Sequence, residues 1–339
     1  MVEIVNYPTR DALGRSIRDL RISVTDRCNF RCRYCMPRER FGEQHTFLPR
    51  RALLSFEEIE RFVSACLPLG LSKVRITGGE PLLRPDVPAL VQRLSTLGVE
   101  IALTTNASLL RDQAPLLADS GLDRVTVSLD ALDPQTHASM VDCAIPVETV
   151  LEGIEAALEN DLGPVKVNCV VQHGVNESEV RALVGHFRGT GVTVRFIEYM
   201  DVGRTNGWSP GQVVPSMNLL EELQGEFDLV PAEAESPSDV ATRWAHSDGS
   251  GEIGFISSVS EPFCGGCVRA RLSADGHLFT CLFASGGHDL RAIIHDGGSI
   301  EELTDAIAAV WSRRTDRYSE MRSSETSSLP RIEMSYIGG

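Results

Sequence analysis

The chain has 339 residues, of which 42% are hydrophobic and 23% charged, and its formal net charge is −15. This length supports a full hydrophobic core and a second lobe. The acidic balance argues against a nucleic-acid-binding or anionic-membrane surface, because polyanions repel a negative protein. No apolar run reaches the roughly 18 residues of a membrane span, and the N-terminus lacks the apolar stretch of an export signal. Nine cysteines in such a chain predict metal ligation in the cytoplasm rather than disulfides.

Strand and helix patterns alternate through the first part of the chain. Segments rich in Val, Ile and Thr predict strands at residues 21–26, 73–77, 100–105, 124–129, 165–171 and 192–199. Amphipathic segments predict helices at residues 55–69, 86–97, 109–119, 148–160 and 177–188. This order predicts an α/β fold with a parallel sheet. Six units are too few for a closed eight-stranded barrel, so we expect a partial (β/α)6 TIM-like barrel, with a doubly wound sheet as the alternative.

The pattern changes after residue 200. We predict a helix at 216–224, strands at 251–260 and within 271–283, a helix at 299–313 and irregular chain over 314–339. The chain therefore divides into a barrel of residues 1–200 and a C-terminal region of residues 201–339, with a boundary near 201–215.

A compact cysteine motif follows the first predicted strand. Cys28, Cys32 and Cys35 have CxxxCxxC spacing, and no fourth cysteine is near. A [4Fe–4S] cluster usually takes four cysteines, so three would leave one iron open for chemistry. The alternatives are a zinc site completed by His45 and reduced core cysteines. The motif resembles that of the radical S-adenosylmethionine (SAM) superfamily, in which SAM chelates the open iron.

Polar segments follow the next strands. They are Thr77-Gly78-Gly79-Glu80-Pro81, Thr104-Thr105-Asn106 and Ser128-Leu129-Asp130. In parallel α/β folds the site lies at the carboxyl ends of the strands, so these segments line one rim. A tight turn alone would explain the two glycines, but beside a cluster loop they resemble the segment that holds the methionine amino group of SAM.

Four basic residues lie within predicted strands. They are Arg21, Arg75, Lys166 and Arg195. A charge within an apolar strand is costly unless it is paired or faces a polar lumen. Each one singly favours a salt bridge, whereas several converging in one barrel favour a polyphosphate site.

A second cysteine group comprises Cys264, Cys267 and Cys281. Zinc completed by His277 or His288 and a second open [4Fe–4S] cluster are equally compatible with the spacing. Arg269 and Arg271 are alternate residues of a strand, so both guanidinium groups face one side beside the metal. An anionic substrate explains two such cations, whereas a structural zinc site does not.

From about residue 20 to its end, the chain resembles the GTP 3′,8-cyclase family, also called molybdenum cofactor biosynthesis protein A. The matching segments are CNFRCRYCMP, RITGGEPLLR, LTTN, VSLDALD, VKVNCVV, RFIEYM, EIGFISSVSEPFCGGCVRARLSADGHLFTCLF and SYIGG. The second cysteine trio with its RxR segment and the final two glycines are the most specific of these.

The resemblance implies a role for each matching position. Two [4Fe–4S] clusters would be held by Cys28, Cys32 and Cys35 for SAM, and by Cys264, Cys267 and Cys281 for the guanine. SAM would contact Tyr34, Gly79, Ser128 and Met200. GTP would contact Arg21, Arg75, Thr104, Lys166, Arg269 and Arg271. Catalytic roles would fall to Arg269, Arg271, Gly338 and Gly339. Cys66, Cys143 and Cys169 lie outside the pattern, as core or surface thiols.

The implied reaction is the first step of molybdenum cofactor biosynthesis. A 5′-deoxyadenosyl radical takes hydrogen from C3′ of GTP, and the C3′ radical attacks C8 to give (8S)-3′,8-cyclo-7,8-dihydroguanosine 5′-triphosphate. The implied partners are a flavodoxin- or ferredoxin-like reductant and, by product hand-off, cyclic pyranopterin monophosphate synthase. A homodimer is possible in this family, and we expect no nucleic-acid or membrane partner.

Two alternative functions are also compatible with part of the sequence. A radical SAM enzyme acting on a peptide would not explain Arg269 and Arg271, and a non-catalytic iron–sulfur or zinc protein would not explain an open-iron trio beside a GGE turn. We also expect the tail, Ser335 to Gly339, to enter the barrel and to serve catalysis rather than folding, although chain ends are normally frayed.

Overall fold

The computed structural model describes residues 9–234, 239–323 and 330–338. The strands are β1 (Asp19–Ser23), β2 (Lys73–Thr77), β3 (Glu100–Thr105), β4 (Arg124–Ser128), β5 (Lys166–Val171), β6 (Thr193–Glu198), β7 (Leu229–Ala232), β8 (Thr242–His246), β9 (Glu252–Ile256), β10 (Arg269–Leu272), β11 (His277–Phe279) and β12 (His288–Asp289). The helices are α1 (Arg38–Phe41), α2 (Phe56–Cys66), α3 (Val87–Ser95), α4 (Leu110–Asp119), α5 (Pro134–Val141), α6 (Val147–Glu159), α7 (Glu179–Phe187), α8 (Ser216–Gln224), α9 (Arg291–His295), α10 (Ile300–Ser312) and α11 (Met334–Ile337).

One 12-stranded sheet holds all these strands in the order β12-β11-β10-β1-β2-β3-β4-β5-β6-β9-β8-β7. The run from β10 to β9 is parallel, and an antiparallel strand pair extends each end. The predicted partial barrel of six βα units is confirmed. The C-terminal region adds β9 beside β6 and β10 beside β1, so residues 257–268 connect the two edges of the parallel part.

Side chains alternate between a buried apolar layer and a polar inner face. In β1 and β2, Leu20, Ile22, Val74 and Ile76 are fully buried in the apolar core. Arg21 and most of the other residues that alternate with them in sequence line the central cavity. Because side chains of a strand alternate with period two, a charged residue in these strands faces the cavity and not the core. This alternation explains how parallel strands tolerate buried cations.

Local signals place the helix ends well. Ser55 and Glu58 form the predicted capping box of α2, and Gly70, in a left-handed conformation, ends the following 3-10 turn. A second capping box, at Ser299 and Glu302, opens α10. Within the described residues, no helix has both the length and the apolarity needed to cross a membrane.

Several predicted boundaries are wrong. The first strand ends at Ser23 and not at residue 26, because Thr25 already belongs to the cysteine loop and its carbonyl accepts a hydrogen bond from Gly79. Helix α5 and the β7–β8 strand pair were not predicted. Residues 314–339 were expected to be irregular, yet they contain α11 and a 3-10 turn at Tyr318–Met321; residues 324–329 and 339 lie outside the described part.

Candidate active site

A single cavity of about 680 Å³ runs through the barrel. Its lining includes all six cysteines of the two trios. The residues predicted for SAM and GTP also line it: Tyr34, Gly79, Ser128 and Met200, and Arg21, Arg75, Thr104, Lys166, Arg269 and Arg271. Sequence positions as far apart as Arg21 and Cys281 therefore meet in one chamber large enough for small-molecule ligands.

The two trios lie at opposite ends of this cavity. Cys28 follows the carboxyl end of β1, whereas Cys267 precedes the amino end of β10, and these two strands are parallel neighbours. Cys281 follows β11, which is antiparallel to β10 and therefore ends on the same side as Cys267. A strand of this length separates its ends by about 15 Å. A substrate between the trios can contact both ends at once.

The first trio is held by a short loop on α5. The Cys28 sulfur accepts a hydrogen bond from the Phe30 N–H (3.4 Å), and the Asn106 amide lies 3.8 Å from the same sulfur. Burial raises the pKa of Cys28 to about 12 and raises the pKa of Cys32 well above its ordinary value. Three half-buried thiols with raised pKa values need a nearby positive charge to ionise at neutral pH, and metal coordination supplies one. This donor set fits the open corner of an iron–sulfur cluster.

The two glycines after β2 pack against this loop. A methyl group on Gly78 would meet the Thr25 carbonyl, and one on Gly79 would overlap the Arg27 carbonyl. The Gly79 N–H donates to the Thr25 carbonyl (2.7 Å), and the Glu80 N–H donates to the Arg27 carbonyl (2.7 Å). Because Gly78 and Gly79 have no side chains, the backbone of this turn contacts the backbone of the cysteine loop directly. Gly79 also lines the cavity.

A buried carboxylate follows these glycines. Glu80 is 1% exposed and accepts hydrogen bonds from the Leu82 N–H, the Thr105 hydroxyl and the Asn106 N–H. Burial raises its pKa to about 7, although these hydrogen bonds oppose the change. Glu80 therefore joins the ends of β2 and β3 beneath the first trio.

The predicted SAM wall contains a second buried carboxyl group. The Tyr34 hydroxyl donates to Asp130 (2.7 Å), which also accepts from the Val170 N–H (2.8 Å). Burial raises the pKa of Asp130 to about 6. Ser128 and Met200 complete this wall. The arrangement fixes the Tyr34 ring beside the cysteine loop.

Three arginines form a row across neighbouring strands. Arg271, Arg21 and Arg75 are in register on β10, β1 and β2. Adjacent strands are about 4.8 Å apart, so three guanidinium groups share one face of the sheet. Within the part of the chain that the structure describes, a buried nitrogen of each group lacks a hydrogen-bond partner: Nη1 of Arg271 and Nε of Arg21 and of Arg75. Three adjacent buried guanidinium groups fit a polyanionic ligand, although Asp19 in the same cavity offsets part of the charge of Arg21 and Arg75.

The row has polar supports. The Arg75 guanidinium donates to the hydroxyls of Thr104 and Thr126, both at 3.1 Å. Burial, followed by the charge of Arg271, lowers the pKa of Arg21 well below its ordinary value. The site therefore holds its positive charges at a free-energy cost that an anion would relieve.

At the second trio, the three sulfurs have unequal surroundings. Arg314 donates to the Cys267 carbonyl (2.7 Å) and lies 3.2 Å from its sulfur, and Arg269 lies 3.5 Å from the same sulfur. Burial opposes ionisation of Cys267, but Arg269 and Arg314 outweigh it and lower its pKa to about 6. Burial raises the pKa of Cys281 to about 11. Cys267 therefore ionises more readily than Cys281.

The histidines considered as zinc ligands are placed elsewhere. His45 packs between the rings of Phe41 and Phe47, and His277 contacts Asp275 and Tyr336. Among the described residues, no three His, Cys, Asp or Glu side chains form a single-ion site. A cluster needs no such convergence, because each thiolate binds a different iron of the cube.

The tail enters the barrel wall. Ile337 is fully buried, and Met334 and Ser335 line the cavity. The Tyr336 hydroxyl donates to Asp275 (2.6 Å). Gly338 has φ +76°, and a methyl group on it would overlap the Thr77 side chain. Gly338 itself does not line the cavity, and Gly339 lies outside the described residues.

Sequence reasoning missed several cavity residues. Lys73 lines the cavity beside Arg75, and burial lowers its pKa to about 8. The chain contains only two lysines, Lys73 and Lys166, and both line this cavity. The scarcity of lysine could therefore have identified Lys73 as a candidate site residue. No local signal could have revealed Arg314, because it reaches Cys267 only through the tertiary fold.

Two sequence families match the chain. The Radical SAM superfamily matches residues 22–186, and Molybdenum Cofactor Synthesis C matches residues 192–320. Among solved structures, Streptococcus suis SuiB bound to S-adenosylmethionine aligns with TM-score 0.59 and 16% identity over 92% of this chain and 72% of that one. SuiB bound to its precursor peptide SuiA gives TM-score 0.60 and 16% identity, over 91% and 67%. These likenesses establish the radical SAM fold.

Curated relatives are much more similar in sequence. GTP 3′,8-cyclase of Acidothermus cellulolyticus is 49% identical over 99% of this chain and 100% of that protein. The enzyme of Xanthomonas axonopodis pv. citri is 50% identical over 98% and 99%. That of Staphylococcus aureus is 44% identical over 97% and 98%. The chain has two cysteine trios and an arginine row in one radical SAM barrel. Because it is 44–50% identical to these relatives over nearly its full length, it belongs to the GTP 3′,8-cyclase family, which acts at the first step of molybdenum cofactor biosynthesis.

Proposed function

We propose that this radical SAM enzyme converts GTP to (8S)-3′,8-cyclo-7,8-dihydroguanosine 5′-triphosphate with two [4Fe–4S] clusters, one at each end of the cavity. Cys28, Cys32 and Cys35 would hold the first cluster. Cys264, Cys267 and Cys281 would hold the second. When bound, the first cluster and SAM supply the radical that removes a hydrogen atom from the substrate.

The observation that carries this proposal is the arginine row between the two trios. Arg21, Arg75 and Arg271 lie in register and line the cavity, and within the described residues one buried guanidinium nitrogen of each has no hydrogen-bond partner. A triphosphate supplies the negative charge that these groups lack, and charge-assisted hydrogen bonds fix its position. Lys166 and Arg269 extend the same basic wall. The guanine then lies toward the second trio and the ribose toward the first.

The remaining roles concern SAM and the exclusion of water. Tyr34, Gly79, Ser128 and Met200 would contact SAM next to the first trio. Thr104 would contact GTP while it supports Arg75, to which it already bonds. The tail, with Gly338 packed on Thr77, would close the wall at the end of β2. A closed wall keeps water and stray hydrogen donors from a substrate radical.

We also propose the setting of the reaction. Reduced thiols and oxygen-sensitive clusters favour the cytoplasm. An electron-transfer protein would reduce the first cluster, and cyclic pyranopterin monophosphate synthase would receive the product. The chain would form a homodimer, and residues 1–200 and 201–339 would act as barrel and auxiliary-cluster regions.

Anaerobic incubation with SAM, reductant and GTP, followed by mass spectrometry, tests the reaction. We expect the cyclised triphosphate and 5′-deoxyadenosine. Changing Cys264, Cys267 and Cys281 together to Ala should remove about half of the iron and stop cyclisation. Stoichiometric zinc at that trio after iron-sufficient expression would contradict the second cluster, and a modified peptide in place of cyclised GTP would favour the peptide-modifying rival.

The two lysines provide an independent test of GTP binding. An amine-acylating reagent can modify only Lys73, Lys166 and the N-terminal amine in this chain. Bound GTP should protect both lysines, as read by peptide mass spectrometry, while the N-terminus reacts as before. Equal acylation of both lysines with and without saturating GTP would place the nucleotide elsewhere.

A further inference from the structure

The loop that carries the first trio concentrates positive charge in an acidic protein. Residues 27–51 contain seven arginines, two glutamates and no aspartate, a net charge of +5. The whole chain carries −15, so the rest of the chain carries −20, the difference between the two. Charge segregation on this scale focuses the field at one surface.

Most of these arginines are exposed and uncommitted. Arg27, Arg33, Arg40, Arg50 and Arg51 are exposed, and none forms an ion pair with a carboxylate in the described part of the chain. Arg38 is also exposed, and it pairs with Asp142 (3.0 Å). We call these six residues the loop arginines. Five of the six, all except Arg38, form no ion pair within the described residues, so their charges are available to a partner.

The same loop provides a structured platform beside the cysteines. The Phe47 ring lies under two guanidinium groups, 5.3 Å from that of Arg27 and 5.9 Å from that of Arg31. His45 packs between Phe47 and Phe41, with ring centroids 4.5 Å and 4.7 Å away. Arginine and aromatic side chains together are typical of protein–protein interface centres.

This platform is connected directly to a cluster ligand. The Arg31 guanidinium donates to the Cys28 carbonyl (2.7 Å), the Phe30 carbonyl (2.8 Å) and the Phe41 carbonyl (2.8 Å). Arg27 immediately precedes Cys28, and Arg33 immediately follows Cys32. A protein bound to the loop arginines is therefore held against the first cluster.

We propose that the loop arginines form the docking site of an acidic electron-transfer protein. The reduced donor would lose one electron and the bound first cluster would gain it, with no bond made or broken. This inference rests on the proposed cluster at Cys28, Cys32 and Cys35. A nucleic acid or anionic membrane is disfavoured, because either would extend over the strongly acidic remainder of the surface. A small acidic protein fits a local basic patch, and such redox complexes are small and charge-steered.

Stopped-flow reduction under anaerobic conditions tests this docking site. The probe is a reduced flavodoxin of net negative charge, and the readout is bleaching of the cluster absorbance in a protein whose second trio has been changed to Ala. For Arg33→Glu/Arg40→Glu we expect the second-order rate constant to fall at least about tenfold. In the parent, raising salt from about 0.05 M to about 0.5 M should give a similar loss.

Matched controls separate docking from cluster damage. Arg111→Glu/Arg181→Glu makes the same charge change at exposed positions of α4 and α7 and should leave the rate unchanged. Dithionite, a small reductant, should reduce parent and variants alike, and iron content should be equal. If Arg33→Glu/Arg40→Glu loses iron, Arg50→Glu/Arg51→Glu replaces it with the same expected loss.

Three results would overturn the proposal. They are equal flavodoxin rates in the loop variant and in Arg111→Glu/Arg181→Glu, no salt dependence in the parent, and binding of single-stranded RNA or phosphatidylglycerol vesicles in preference to the flavodoxin. Failure of the proposed function is distinguishable, because it would appear as absent cyclisation under dithionite while the flavodoxin rates still report on docking.

Discussion

Arg271→Met should change GTP affinity and stability in opposite directions. Met keeps an unbranched chain of similar length and removes the charge. Arg271 is 4% exposed, and its buried Nη1 has no hydrogen-bond partner in the described structure. Burial, followed by repulsion from Arg269, lowers its pKa to about 10 from 12.5. Arginine is charged at pH 7 in both the folded and unfolded states, so this lowering represents a cost of up to about 3 kcal/mol of folding free energy.

The same charge contributes to ligand binding. A charge-assisted hydrogen bond to phosphate contributes about 1.5–3 kcal/mol, which corresponds to roughly 10- to 150-fold in GTP affinity. Arg271→Met should therefore weaken GTP binding by that factor and raise the free energy of unfolding of the metal-free protein. Water in the cavity screens the repulsion, so we expect a gain of about 1 kcal/mol.

Two measurements check this prediction. Isothermal titration calorimetry on the anaerobic protein gives GTP affinity, and denaturant unfolding of the metal-free protein gives stability. Arg181→Met is the matched control, since Arg181 is exposed and ion-paired with Glu226 (2.9 Å), and its loss should change stability by less than about 1 kcal/mol. A destabilised Arg271→Met protein with unchanged GTP affinity would refute the argument from the arginine row.

Three further predictions concern other buried groups. Asp11→Asn should destabilise the protein by about 3–5 kcal/mol in denaturant unfolding. The reason is that the enclosed Asp11 carboxylate is ion-paired with Arg314 (3.4 Å) and with Arg15 (2.6 Å). A loss of stability below about 1 kcal/mol would contradict this prediction. Gly338 has φ +76°, and a methyl group at this position would overlap the Thr77 side chain. Gly338→Ala should therefore abolish cyclisation while leaving the melting temperature nearly unchanged. Near-parental cyclase activity would show that the tail is expendable. Because burial raises the pKa of Glu80 to about 7 from 4.5, the metal-free protein should lose about 3 kcal/mol of stability as pH rises through that interval, and Glu80→Gln should lack this loss. A pH dependence identical in parent and Glu80→Gln would contradict it.

The sequence alone determined the features that depend on short separations. Cys28, Cys32 and Cys35 lie within eight residues, so their spacing identifies a cluster loop without any fold. The capping box at Ser55 and the strands β2 and β3 were also predictable, because local hydrogen bonding and side-chain periodicity decide them. Family resemblance then assigned expected roles that local patterns could not.

Tertiary structure decided which distant residues meet. The register that aligns Arg271 with Arg21 and Arg75 depends on β10 returning to pair with β1, and no local pattern specifies that pairing. Arg314 lies just after α10, and only the tertiary fold brings it to the Cys267 sulfur. The resemblance assigns the glycines after β2 to the segment that holds SAM, and only the fold reveals that Gly78 and Gly79 also admit the backbone of the cysteine loop. Local chemistry is encoded by neighbours in sequence, whereas strand pairing and burial depend on the free energy of the whole chain.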